Sequence, residues 1–195
     1  MTIGVFGGSF DPPHVGHVLA LHYLFSIGEV SQVIIVPVYD HALHKPLSSY
    51  DVRLRLCDAA FGFQSGALPP ERRDFPVTVS RIERELPRPS YTLRTLRALR
   101  QRHAGDDWRL IIGTDVLRET EKWHRFDEVA ALAPPLILGR VGYPHQSAPI
   151  GVLPEVSSTA IRKSIADGDA ESRRMVEAAV PVSVLRLIDQ LGLYR

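Results

Sequence analysis

Within GGSFDPPHVGH, residues 7–17, a glycine-serine turn made by Gly7, Gly8 and Ser9 is followed by two histidines one helical turn apart, His14 and His17. Glycine at a strand exit lets backbone approach an anion that a Cβ would hold off. Imidazoles at i and i+3 in the first turn of a helix present their rings to one side. Neutral or with one charged, they can donate N–H groups to phosphate oxygens and follow charge building on a departing group. The chemistry this implies is phosphate handling. Each part alone has a plainer use: a glycine pair is also an ordinary strand-to-helix turn, and paired histidines also serve as caps or core. A metal pair is disfavoured because no further histidine, cysteine or carboxylate cluster stands at ligand spacing. Asp11 and Pro12-Pro13 read as rigid loop punctuation. Neither common phosphate loop is present, since the GxGxxG spacing fails and no GK[ST] follows.

Further residues of the right type fall later in the chain. Lys45, in YDHALHKPL, is a point charge suited to phosphate, although a loop lysine is more often simply solvated. Asp40 in the same loop sits where a dinucleotide-binding dehydrogenase keeps its ribose carboxylate. Gly113, Thr114 and Asp115 end an apolar run as IIGTD. A carboxylate there can grip ribose hydroxyls or position a cation, or merely cap the next helix. Trp123 offers a flat face for a heteroaromatic ring or an ordinary core anchor, and Tyr91 and Thr92 open a helix nearby. In VSSTAIR, Ser157, Ser158 and Thr159 precede Arg162 by about one turn. That is a second helix start furnished for anions, and capping alone would use only one of the hydroxyls.

These residues need a frame that brings strand ends and helix starts together, and the apolar pattern supplies one. IGVF, QVIIVPV from Gln32 to Val38, VTVS, WRLIIGTD and LILG at 136–139 read as strands, with GVLPEV, Gly151 to Val156, a shorter sixth. Helical patterns lie between them at about 14–28, 49–63 and 90–103, the last with Leu93, Leu96 and Leu99 on one face. GALPPERRDFP is a charged, proline-containing connection. Such alternation predicts an α/β class: a doubly wound, Rossmann-like parallel sheet of five to six strands with helices on both faces. A small helical C-terminal part is expected at about 157–195, within a single domain covering residues 1–195. In such sheets ligands bind at the carboxyl ends of the strands, where strand order reverses.

Composition narrows the partners. The chain has 195 residues, 45% apolar and 23% charged, with a formal net charge of +1, an ordinary globular balance that does not call for nucleic acid. Of 23 basic residues all but Lys45, Lys122 and Lys163 are arginine. The single Cys57, among apolar neighbours, reads as a core thiol in a reducing compartment. With no leader pattern at the N-terminus and no apolar run approaching the ~20 residues of a membrane span, the expectation is a cytoplasmic protein.

Together the motifs are similar to those of the HIGH-type nucleotidyltransferases, and within them the nicotinate or nicotinamide mononucleotide adenylyltransferases. GGSFDPPHVGH resembles the family's G[GS][ST]F[DN]PxHxGH signature and VSSTAIR its SSTxIR signature. HK at 44–45, PSYT at 89–92, IIGTD at 111–115 and KW at 122–123 fall in order between them. The resemblance implies attack of a mononucleotide 5′-phosphate on the α-phosphorus of ATP, with Mg²⁺ assisting on the nucleotide and no metal site of the protein's own. It implies that His14 and His17 polarise the triphosphate and that Lys45 neutralises phosphate. Gly7, Gly8, Ser157, Ser158, Thr159 and Arg162 would hold phosphates, and Gly113 and Asp115 would contact ribose or adenine. Ser9, Phe10, Tyr91, Thr92 and Trp123 would line the mononucleotide pocket, Ser9 and Phe10 through backbone. Two stretches depart from the pattern: PVYDHALHK replaces a shorter asparagine-led loop, and His124 stands where tyrosine is usual. Both lie near the expected acceptor site, so nicotinate and nicotinamide mononucleotide both stay open. The rivals are a sister transferase with another phosphorylated acceptor, which the PSYT and KW landmarks oppose, and a nucleotide-sensing module. A dehydrogenase lacks its GxGxxG.

Overall fold

The computed structural model describes residues 1–62, 76–103 and 105–195. Five parallel strands, β1 (Thr2–Gly8), β2 (Gln32–Pro37), β3 (Val77–Val79), β4 (Asp107–Gly113) and β5 (Pro135–Leu138), form one sheet in the order β3-β2-β1-β4-β5. The helices are α1 (Val15–Ser26), α2 (Tyr50–Phe61), α3 (Thr92–Arg102), α4 (Thr114–Leu117), α5 (Phe126–Leu132), α6 (Ser158–Asp167), α7 (Ala170–Ala179) and α8 (Val182–Leu191). The continuous apolar run of β2 follows from burial on both sheet faces. Val33 and Ile35 enter one core with residues of α1, α2, α6, α7 and α8, while Ile34 and Val36 enter the other with residues of α3 and α5. Ile111 and its neighbours Leu110 and Ile112 divide in the same way on β4. Each such side chain contributes roughly 1.5–3 kcal/mol by leaving water.

Local chemistry marks the ends of the helices. Ser49 caps α2 by accepting the Val52 amide at 3.4 Å, Ser157 caps α6 by accepting that of Ala160 at 3.2 Å, and Asp169 caps α7. Gly168 and Gly192 close α6 and α8 in the left-handed region, at φ 67° and 59°. On α3, Leu93, Leu96 and Leu99 are buried while Arg97 pairs with Glu128 and Arg102 with Glu85.

Two expectations change. The segment 151–156 is not a sixth strand: Leu153 makes one isolated bridge to Arg140, and Pro154, which has no N–H to donate, stops the ladder. His14 lies just ahead of α1, as an extended N-cap with φ −140° and ψ 173°. Of the expected helix at 49–63, Phe63 lies outside the described residues, as does all of GALPPERRDFP except Pro76. No described helix is long and apolar enough to cross a membrane.

Candidate active site

Strand order reverses between β1 and β4, and the loop leaving β1 there is built around buried polar anchors. Phe10 turns the chain with a left-handed backbone, φ 48°. Its ring is buried against Phe6, Phe61 and His17, so only its backbone is left for the mononucleotide role. Asp11, 1% exposed, accepts the Ser48 amide at 2.9 Å and the Tyr194 hydroxyl at 2.7 Å. Arg53, equally buried, donates to the carbonyls of Ser9 and Ser48, both at 3.0 Å. The turn read as loop punctuation is therefore a charged, hydrogen-bonded scaffold.

The two histidine rings lie with centroids 3.8 Å apart and planes at 31°. His17 Nδ1 accepts the His14 amide at 3.1 Å, which places the ring proton on Nε2. His14 Nδ1 is buried without a partner among the described residues. Burial first, and Arg140 second, lower the His14 pKa to about 3. Burial, then His14 and Arg140, hold His17 well below its ordinary value. Both shifts favour the neutral form of the rings. A Cβ at Gly16, between them, would lie 3.1 Å from His14 Cε1 and Nδ1, a tight contact.

The VSSTAIR helix start joins this loop directly. Ser158 Oγ donates to the Pro12 carbonyl at 2.9 Å, and Arg162 Nη1 donates to the Asp11 carbonyl at 2.7 Å while its Nη2 faces Thr159 Oγ1 at 3.5 Å. Ser157 is the cap. Two residues distant in sequence, Asp115 and Arg140, form an ion pair, and Arg140 also donates to the Val156 carbonyl. The Arg140 amide donates to buried Thr114 Oγ1 at 3.0 Å. Gly113 leaves room for the pair, since its Cβ would crowd Asp115 Oδ1. Arg140 escapes a reading of local motifs. Its one signal is its place just past LILG, at the carboxyl end of β5.

A cleft of about 320 Å³ opens beside the loop, lined by Gly7, Gly8 and Ser9 on one side and Tyr91, Thr92 and Trp123 on the other. Gly113 reaches its edge. His124 stacks on Tyr91 at 4.6 Å and 28°, and Trp123 meets Phe126 edge-on at 5.9 Å. Lys45 does not line this cleft. It is exposed beside a second, polar cavity of about 440 Å³, with Arg53, Arg84 and Arg88. His41 lines both. Cys57 is fully buried and its thiol pKa is pushed up by that burial, so it is a core residue and not a nucleophile. Among the described residues no group of three or more His, Cys, Asp or Glu side chains could hold a metal ion.

The cytidylyltransferase-like family model matches residues 5–164. Probable nicotinate-nucleotide adenylyltransferases of Anaeromyxobacter sp. (strain K), Myxococcus xanthus and Thermus thermophilus are 38%, 35% and 34% identical to the chain. The alignments cover 99%, 100% and 100% of it and 96%, 95% and 100% of the relatives. Among solved structures, the nicotinic acid mononucleotide adenylyltransferase of Plasmodium falciparum in complex with NaAD superposes with a TM-score of 0.79 at 15% identity, over 99% of this chain and 97% of that one. A putative nicotinate-nucleotide adenylyltransferase of Vibrio parahaemolyticus gives 0.70 at 21%, over 100% and 95%. At those identities the structures establish a shared fold, and the full-length relatives establish more: the chain belongs to the nicotinate-nucleotide adenylyltransferase family of the cytidylyltransferase-like proteins.

Proposed function

We infer that the enzyme transfers the adenylyl group of ATP to nicotinate mononucleotide, or to nicotinamide mononucleotide as the alternative acceptor, for NAD biosynthesis. The acceptor's 5′-phosphate oxygen forms a bond to the α-phosphorus as the bond to the bridging oxygen breaks, and pyrophosphate leaves with that electron pair. The observation that carries this reading is the hydrogen bonding of Ser158 and Arg162 of α6 to the Pro12 and Asp11 carbonyls, which ties the start of α6 to the loop leading into α1, a loop whose beginning, Gly7 to Ser9, lines an aromatic-walled cleft. No enzyme nucleophile takes part, so the protein's contribution is positioning and charge stabilisation.

His17 Nε2–H donates to the reacting α-phosphate and His14 to the triphosphate. Gly7, Gly8 and Ser9 bring backbone to the phosphates. Ser157, Ser158, Thr159 and Arg162 hold the β- and γ-phosphates, and Gly113 and Asp115 the adenosine. Tyr91, Thr92 and Trp123 face the pyridine ring, with Phe10 backbone below it, and Lys45 neutralises phosphate from the rim. Mg²⁺ arrives on ATP as part of the substrate and supplies charge neutralisation there. We read residues 1–195 as one nucleotidyltransferase domain acting on small molecules in the cytoplasm, with neither nucleic acid nor membrane as partner.

Purified protein with ATP, Mg²⁺ and each mononucleotide separately is expected to release pyrophosphate with at least one of them. Release with neither refutes the assignment, and equal initial rates with both establish dual specificity.

A further inference from the structure

Glu83, in the 3-10 turn Ile82–Glu85 after β3, lines the same cleft as Tyr91, Thr92 and Trp123 and is only 7% exposed. Its Oε2 accepts the Tyr39 amide at 2.8 Å and its Oε1 the Thr95 hydroxyl at 2.9 Å. Both donors are neutral. Among the described residues no cation forms an ion pair with it. Of the arginines near it in sequence or at the neighbouring cavity, Arg84 pairs with Asp51, Arg88 donates to the Tyr39 hydroxyl and Arg53 to the Ser9 and Ser48 carbonyls, while Arg81 is exposed. A buried carboxylate with two neutral hydrogen bonds and no ion-pair partner is costly, and this one lines the cleft, together with Lys122 and Glu119.

What would complete it is a flat cation. The acceptors of the inferred reaction carry one, because a pyridine nitrogen bonded to ribose is quaternary and spreads its positive charge over the ring. We propose that Glu83 is the counter-charge for a cationic heteroaromatic ring bound between Tyr91 and Trp123, so that the enzyme selects the pyridinium form of its mononucleotide acceptor over the uncharged dihydropyridine form. This rests on the acceptor assignment above. The ring needs no contact with a carboxylate oxygen, since attraction in a site shielded from water acts across several ångströms.

Glu83 also holds two pieces of the cleft, the Tyr39 backbone and Thr95, and a purely positioning role has to be told apart. Glu83→Gln does so, because the amide oxygen can keep the Tyr39 N–H while the amide NH₂ donates to Thr95 Oγ1. The Thr95 proton then goes to the Tyr91 carbonyl, already 3.3 Å away. Shape and hydrogen bonds are retained and the charge is lost.

The experiment measures kcat and KM at saturating Mg²⁺–ATP for one mononucleotide in its pyridinium form and its 1,4-dihydro form. The wild type is expected to favour the pyridinium form by about tenfold or more in kcat/KM. Glu83→Gln should raise KM for that form by about tenfold, change kcat by less than about threefold, and leave KM for the dihydro form within about twofold. Equal loss on both forms makes Glu83 a positioning residue and overturns the proposal. If the variant does not fold, the wild type decides alone: kcat/KM values within about twofold for the two forms overturn it. A wild type that turns over neither mononucleotide refutes the acceptor assignment, and the proposal with it.

Discussion

Acidification should expose the cost of keeping His14 neutral. The ring is 7% exposed, its Nδ1 has no partner among the described residues, and burial with help from Arg140 lowers its pKa from 6.5 to about 3. Unfolded, the side chain takes up its proton near pH 6.5; folded, only near pH 3. Between those values the unfolded state holds more protons, so this contribution to stability is fully present above pH 6.5 and is lost as pH falls towards 3. Because the unfolded side chain is only half protonated at pH 6.5 and the slope rises to about 1.36 kcal/mol per pH unit below it, moving from roughly pH 6.5 to 4.5 costs about 2.3 kcal/mol from this one residue. That is a large share of a typical stability of about 5–15 kcal/mol, and for a chain of this size it lowers Tm by about 5–10 °C. Urea unfolding of the wild type and of His14→Gln at the two pH values isolates the effect, because acid losses elsewhere are common to both proteins. The variant should lose roughly 2–3 kcal/mol less than the wild type on acidification. Equal losses, or a His14 Cε1 proton resonance that titrates near the ordinary histidine value, would refute the reasoning.

Two other expectations rest on the loop. His17→Ala should lower kcat by at least about tenfold, the loss of a donor aimed at developing charge, and an unchanged rate removes His17 from the mechanism. Asp11→Ala leaves the Ser48 amide and the Tyr194 hydroxyl without their acceptor. It should cost about 2–5 kcal/mol in urea unfolding, with Tyr194→Phe costing about 1 kcal/mol, and a loss under ~1 kcal/mol for Asp11→Ala shows that the loop is not organised through this carboxylate.

Much of the frame was legible because burial on both sheet faces writes itself as apolar runs: β1, β2, β4 and β5 lie where those runs predict, and Leu93, Leu96 and Leu99 mark the buried side of α3. The glycine turn, the histidine pair and VSSTAIR were legible as motifs because their spacing is local. Their contact was not, since Arg162 meets Asp11, 151 positions away, through a carbonyl that any residue would have offered. Arg140 and Glu83 were missed for a related reason. One arginine among many, or one glutamate in RIERE, is distinguished only by what the fold packs around it, and periodicity records burial of apolar groups rather than of charges. Lys45 shows the converse. Its place after β2 suggested the sheet's carboxyl end, and it lines the neighbouring polar cavity there rather than the cleft.

Arg162 is bonded to the loop before α1, Arg140 contributes to lowering the pKa of both histidines, and Glu83 lines the cleft beside Tyr91, Thr92 and Trp123. On the inferred mechanism, neutrality of the two histidines has a catalytic consequence. An imidazolium would attract the triphosphate of bound ATP as strongly as the transition state, and attraction spent equally on both lowers no barrier. A neutral N–H whose direction is fixed, as His17 Nε2–H is by the bond at Nδ1, gains strength mainly as negative charge grows on the oxygens it faces. On that mechanism, the burial that makes the pair sensitive to acid is the same feature that concentrates its stabilisation on the reacting phosphate.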